Sequence, residues 1–268
     1  MAERLVNPAL ERMRAGDVAL GMSIRLGQSG DVARMAKSTD HDFLFIDAQH
    51  AIFDPQTIRE IAQTALAIGV APLVRVRGLD DPDVSVMLDN GVMGIVFPDI
   101  LTAEDARRAV QLTRFPPIGS RSAAGVLPHF NYRSVPLADM LTQLNDATLV
   151  AVMIEGPQGL DNLETIAAVD GIDVIHVGTN DLLLSLGKTG QFDDPVVMQI
   201  YERVVAAASA HGVYPGIGGN RDVERQLQAI ELGARFLTTN SDMRFLMSAA
   251  ADWTGRVRAG WRGGAGDD

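Results

Sequence analysis

A single (β/α)8 TIM barrel is the fold class the chain predicts, on three observations. Eight apolar, strand-like runs recur along 268 residues, amphipathic helical stretches separate them, and nearly every run is apolar on both faces. The last pattern is that of a parallel sheet wrapped by helices, and eight strands is the number a closed barrel requires. The runs are VALGMS (18–23), FLFIDA (43–48), PLVRV (72–76), GIVF (94–97), LVAVMIE (149–155), DVIHVG (173–178), VYPGI (213–217) and RFLTT (235–239).

The intervening stretches read as helices. In PQTIREIAQTALAI (55–68), Ile58, Ile61, Ala62, Ala65 and Ile68 fall on one helical face, and Asp54 stands as an N-cap before Pro55. TAEDARRAVQLT (102–113), PVVMQIYERVVAAASAHG (195–212) and RDVERQLQAIELG (221–233) repeat the pattern, the last two closed by glycine. No linker divides the chain, so one domain is expected, with a core over about 17–254 and a flexible tail over about 259–268 that ends in WRGGAGDD. Phe115 to Asp146 breaks the spacing: it is too long for a simple connection and contains FPPIGSRSAAGVLPHFNYRS. Long loops on such scaffolds tend to carry function, and this one is expected to overhang the site.

Composition removes several function classes. A net charge of −11 disfavours nucleic acid and anionic membrane surfaces as partners, so an anionic substrate must be met by local cations. No apolar run approaches the roughly 20 residues of a membrane span. The opening MAERLVNPALERMRAG lacks the apolar stretch of a secretory signal, and a cytoplasmic protein is expected. Cysteine is absent, which leaves oxygen and nitrogen as the only metal ligands. The only lysines, Lys37 and Lys188, lie outside the strand runs, which argues against a Schiff base.

The carboxyl ends of barrel strands open on one face, so distant residues converge there. His50 closes FLFIDAQH, Glu155 closes LVAVMIE and Asp181 follows DVIHVGTN. Glu155 and Asp181, 26 residues apart, sit one βα unit from each other and form an oxygen pair suited to a hard divalent cation. Each alone is also an ordinary turn or helix-cap acid. His50 is placed to act as a general base, with Asp89 in VMLDNG as the candidate to orient it; an acid before Asn-Gly is equally a helix-terminal turn residue. Arg75 is a charge inside an apolar strand, aimed either at a developing oxyanion or at a structural salt bridge. Arg77 shares its strand face, His176 is assigned to structure, and His129 and Arg121 belong to the long loop, facing substrate or a neighbouring subunit. Gly216 to Asn220, after the seventh run, offers a phosphate-binding alternative, although glycines also serve the turn itself.

FIDAQHA, PLVRV, LDNGVMGIVFP, PPIGSRS, VMIEGPQGLDNLETIAAVDGIDVIHVGTNDLLLSLG and ELGARFLTTNSD occur in this order. Together they resemble the HpcH/HpaI aldolase family over about Gly21 to Trp253. The resemblance implies a metal-dependent class II enzyme that cleaves 4-hydroxy-2-oxo acids through a pyruvate enolate, using Mg²⁺, Mn²⁺ or Co²⁺. It implies His50 as catalytic histidine, Arg75 as the pyruvate-contacting arginine, Asp89 as the histidine's partner, and Glu155 and Asp181 as metal ligands. The turn of Gly178, Thr179 and Asn180 then receives the pyruvate carboxylate, with Gln49 and Arg121 as further substrate contacts. Two positions depart from the family's pattern: Gln49 replaces a common Glu, and Gly178-Thr179-Asn180-Asp181-Leu182 replaces Gly-Pro-x-Asp-Leu. A homohexamer is also implied, with the last helix (241–253) packed on a neighbour. The rival readings are a citrate-lyase-β-like or phosphoenolpyruvate-handling lyase on the same barrel, and a non-catalytic barrel subunit.

Overall fold

Strands β1 (Ala19–Ile24), β2 (Phe43–Asp47), β3 (Ala71–Arg75), β4 (Gly94–Phe97), β5 (Leu149–Ile154), β6 (Val174–Gly178), β7 (Tyr214–Gly218) and β8 (Phe236–Ser241) pair in chain order, all parallel. β8 returns to β1 and closes the barrel. Each strand lies within two residues of the run expected for it. The structure is a computed structural model, and it describes residues 4–262.

Helices α1 (Pro8–Arg14), α2 (Asp31–Ser38), α3 (Pro55–Ile68), α4 (Val84–Asp89), α5 (Ala103–Thr113) and α6 (Leu137–Ala147) belong to the first half. The second half carries α7 (Pro157–Asp161), α8 (Leu163–Ala167), α9 (Thr179–Ser185), α10 (Pro195–Ala210), α11 (Val223–Leu232) and α12 (Asp242–Arg262). Local chemistry sets their ends. The Asp54 carboxylate accepts the Thr57 amide at 2.8 Å at the start of α3, and Gly69, at φ 71°, ends that helix in the left-handed conformation a side chain disfavours. Thr102 and Asp105 form a reciprocal capping box at the start of α5.

The strands' two-residue period decides what faces the barrel interior. Phe43 and Phe45 point inward along β2 while Leu44 and Ile46 pack on the helices, and the same alternation holds for Ala71 and Leu73, for Leu149, Ala151 and Met153, and for Val174. Phe43 stacks on Phe236 with ring centroids 4.3 Å apart. Ala9, Leu10 and Met13 of α1 join this inner cluster and seal the end where the strands begin. Asn7 ties that seal in place by donating to the carbonyls of Met93 and Ala147, just ahead of β4 and β5. Each large apolar side chain so buried contributes roughly 1.5–3 kcal/mol.

The Phe115–Asp146 segment does not overhang the open end. α5 runs back toward the strand starts, so the chain beyond it emerges at the sealed end. There Phe115, Leu127, Phe130, Met140 and Leu144 form a small cluster of their own, a 3-10 turn spans Pro128–Phe130, and α6 completes the segment. Of the expected tail, residues 259–262 continue α12, and 263–268 lie outside the described residues. Among the described residues no helix is long and apolar enough to cross a membrane.

Candidate active site

Continuing the inward alternation past the core delivers Asp47 on β2, Arg75 on β3, Glu155 after β5 and Gly178 on β6 to the open end. They line one cavity of about 510 Å³, joined by Arg25, His50, Asn180, Asp181, Arg221 and the rim of β8.

Arg75 is placed by its cross-strand neighbour. The register pairs Asp47 with Arg75, and the guanidinium donates through Nε to Asp47 Oδ1 at 3.0 Å and through Nη2 to Oδ2 at 2.7 Å. Arg25 Nε reaches Oδ2 as well, at 2.6 Å, and the His50 amide donates to Oδ1 at 3.2 Å. Burial alone would raise the Asp47 carboxyl, but hydrogen bonds from Arg75 and then Arg25 outweigh it and hold the group below the usual carboxylate range. One fully buried acid therefore positions two arginines and the loop that bears His50.

Glu155 is buried, and one oxygen accepts the Asp99 amide at 3.0 Å while the other lies 3.9 Å from Arg75 Nη1. Burial pushes its carboxyl up to about 7; the Asp99 amide and Arg75 oppose the rise, and the charges of Asp99 and Asp181 add to it. A Cβ built on Gly178 would fall 2.5 Å from Glu155 Oε1, so the absence of a side chain there keeps that oxygen open to the cavity. Among the described residues no three His, Asp or Glu side chains are grouped so as to hold a metal ion by themselves. Two carboxylates sharing one cavity, with the remaining positions left to water and substrate oxygens, fit a hard divalent cation of the Mg²⁺ kind.

His50 lines the cavity and is exposed at its edge. Asp89, its expected partner, is not brought to it within the chain. Asp89 ends α4, a helix that runs back to the sealed end, and there its carboxylate meets Arg121 Nη2 at 2.5 Å. Arg121 is buried under the Phe115 ring, and burial lowers its pKa against the pull of Asp89. His129 belongs to the same cluster, bonded to the Val92 carbonyl and lowered to about 4 by burial. Of the turn residues, Gly178 and Asn180 line the cavity, but the Thr179 hydroxyl turns away to Tyr201 at 2.8 Å. Gln49 faces a separate, smaller cavity beside Arg77 and Asp81, and its buried Oε1 has no hydrogen-bond partner among the described residues.

The glycines after β6 serve packing. A Cβ on Gly218 would meet His176 Nε2 at 2.5 Å, and one on Gly216 would meet Nδ1 at 2.9 Å, so both make room for an imidazole inside the barrel. His176 is fully buried there, and burial lowers it to about 3. The start of α11 is already occupied: the Asp222 carboxylate accepts the Arg225 amide at 3.1 Å. One of the helix-start amides that a phosphate would use there is thus already taken.

Sequence reasoning misses Asp47, Arg25 and Arg221. Asp47 is signalled by the same clue as Arg75, a charge at an inward position of an apolar strand. The other two sit in loops, where position and not pattern brings them to the cavity.

Residues 24–249 match the family model described as HpcH/HpaI aldolase/citrate lyase. A 4-hydroxy-4-methyl-2-oxoglutarate aldolase of Chaetomium globosum is 36% identical, over 94% of this chain and 95% of that one. A 4-hydroxy-2-oxo-heptane-1,7-dioate aldolase of Salmonella dublin is 31% identical, over 94% and 95%. The crystal structure of an HpcH/HpaI aldolase from Desulfitobacterium hafniense superposes with a TM-score of 0.89 at 28% identity, covering 93% of this chain and 96% of that one. With the barrel and its mouth described, these matches establish that the chain belongs to the HpcH/HpaI aldolase/citrate lyase family.

Proposed function

We propose that the protein is a carbon–carbon lyase, an aldolase that reversibly cleaves 4-hydroxy-2-oxo acids to pyruvate, or a close analogue, and an aldehyde. The observation that carries this reading is the meeting of Glu155, Asp181, Arg75 and His50 on one cavity. A divalent cation, Mg²⁺, Mn²⁺ or Co²⁺, held by Glu155 and Asp181 would supply Lewis-acid stabilisation of the enolate oxygen. Arg75, fixed by Asp47, directs its charge at the oxygen of the 2-oxo group. His50 takes the proton of the C4 hydroxyl as the C3–C4 bond breaks; the bonding pair becomes the enolate, C4 leaves as the aldehyde carbonyl, and C3 is then protonated to give pyruvate. Reversal returns the same proton during synthesis. The backbone of Gly178 to Asn180 receives the pyruvate carboxylate.

Asp89 and Arg121, paired at the sealed end, enter this reading only through a second copy of the chain. A homo-oligomer is supported by α12, which carries Leu246, Met247, Trp253, Val257 and Trp261 exposed to solvent.

Exchange of pyruvate methyl protons in heavy water tests the chemistry. EDTA abolishes exchange and Mg²⁺, Mn²⁺ or Co²⁺ restores it, borohydride with pyruvate traps no covalent adduct, and His50→Ala lowers aldol cleavage by about 10². Exchange that survives chelation, or a trapped adduct, overturns the reading. Cleavage to free aldehydes separates it from a citrate-lyase-type reaction.

A further inference from the structure

The turn after β6, Gly178 to Asp181, gives the cavity two side chains, Asn180 and Asp181, while the residue between Gly178 and Asn180 faces the other way. Thr179 is fully buried behind the cavity wall, and its hydroxyl meets the phenolic oxygen of Tyr201 at 2.8 Å. Tyr201 lies within α10, is as deeply buried, and is otherwise packed among apolar side chains of the outer core. A phenol in such a place needs a polar partner, and this one reaches from its helix to a strand end to find it.

The same oxygen stands at the next turn. Asn220, buried after β7, lies beside the Tyr201 hydroxyl, and its Nδ2 makes no hydrogen bond among the described residues. The two turns also touch directly: a Cβ on Gly219, at φ 88°, would fall 2.6 Å from Asn180 Nδ2, so the missing side chain lets them close on each other. Gln226 of α11 carries the tie onward, donating through Nε2 to the carbonyls of Asn220 and Thr239 at 2.8 Å each. The ends of β6, β7 and β8 are thereby joined behind the cavity by two buried side chains, one from α10 and one from α11. Burial raises the pKa of Tyr201, so the phenol keeps its proton.

We propose that Tyr201 is a positioning residue: through its hydrogen bond to Thr179 it fixes the Gly178–Asp181 turn, and with it the Asp181 carboxylate and the Asn180 amide that face the cavity. Tyr201 itself stands outside the cavity lining and acts only through Thr179. The helix that follows does little to hold its own start. α9 has seven residues, and Gly178 at its cap offers no side chain to the first amides. Thr179 supplies the hold instead, two residues ahead of Asp181. That the turn serves a metal and a 2-oxo acid rests on the aldolase reading; that it is tied to α10 rests on the buried pair of hydroxyls.

Calorimetric titration with Mn²⁺, alongside chemical denaturation, separates positioning from packing in Thr179→Val, Tyr201→Phe and the double variant. Each single change strands one buried hydroxyl and lowers the denaturation midpoint, whereas the double removes both partners and recovers most of that loss. Mn²⁺ affinity behaves differently. It falls about ten-fold or more in all three, the scale on which groups behind a metal ligand act, and the double is no worse than either single. Affinity that is unchanged in the single variants, or that recovers with the midpoint in the double, overturns the positioning role. Losses that add in the double overturn it as well, because the two hydroxyls then act apart. Pyruvate titrated into the Mn²⁺-loaded native protein tests the reading beneath it: the expected Mn²⁺ pattern in a protein that binds no pyruvate refutes the aldolase reading alone, and a native protein that binds no Mn²⁺ refutes both.

Discussion

Asp47 holds two guanidinium groups and a loop amide on two oxygens, and a change of one atom tests how much depends on it. Asp47→Asn keeps the size but removes the counter-charge, leaving Arg75 buried without its partner; breaking a buried pair in this way costs roughly 3–5 kcal/mol. A fall in the denaturation midpoint is expected together with a loss of about 10² in cleavage rate, since a misplaced Arg75 no longer meets the developing charge. Unchanged activity would show that Arg75 is aimed by something else. Arg75 is legible in the sequence because an arginine inside PLVRV has no bland place to go. Asp47 is equally anomalous but closes its strand, where an acid looks like the beginning of a turn.

Between elements, the direction of travel matters more than local pattern. The strands, α3 and α5 are readable from apolar periodicity and caps, because these are short-range effects. The placement of Asp89, Arg121 and the Phe115–Asp146 segment is not legible in any local pattern, although the rule is simple: residues after a strand reach the open end, and residues after a helix reach the sealed one. Packing between β6 and β7 yields a pH prediction. His176, accommodated by Gly216 and Gly218, stays neutral in the fold down to about 3, whereas an unfolded histidine protonates near its ordinary value of 6.5. The stability contributed by the neutral ring is therefore complete above 6.5 and is lost progressively as pH falls toward 3. By pH 5 the loss is about 2 kcal/mol for this ring, with a similar loss from His129. Glu155 works with the opposite sign, because a carboxyl raised to about 7 stabilises the fold most when protonated. The difference in unfolding free energy between native protein and His176→Asn isolates the imidazole: it shrinks between pH 7 and 5, and a difference independent of pH would show that the ring is not held neutral.

At the scale of the molecule, α12 stands out by what it leaves uncovered. Trp253 and Trp261 are 68% and 82% exposed, more than an isolated chain of 28.7 kDa has reason to present to water. Sedimentation equilibrium is expected to give a multiple of that mass, and Leu246→Glu with Trp253→Glu to reduce it to one chain; a native protein that sediments as a monomer contradicts the oligomer. The seal formed by α1 has a kinetic consequence. A well closed at its base has one doorway, so the fragment seated among buried Arg75 and Glu155 enters before, and departs after, whatever occupies the space beside exposed Arg221. Under the proposed chemistry this imposes a compulsory sequence in which the keto acid is first in and last out, while the aldehyde comes and goes above it.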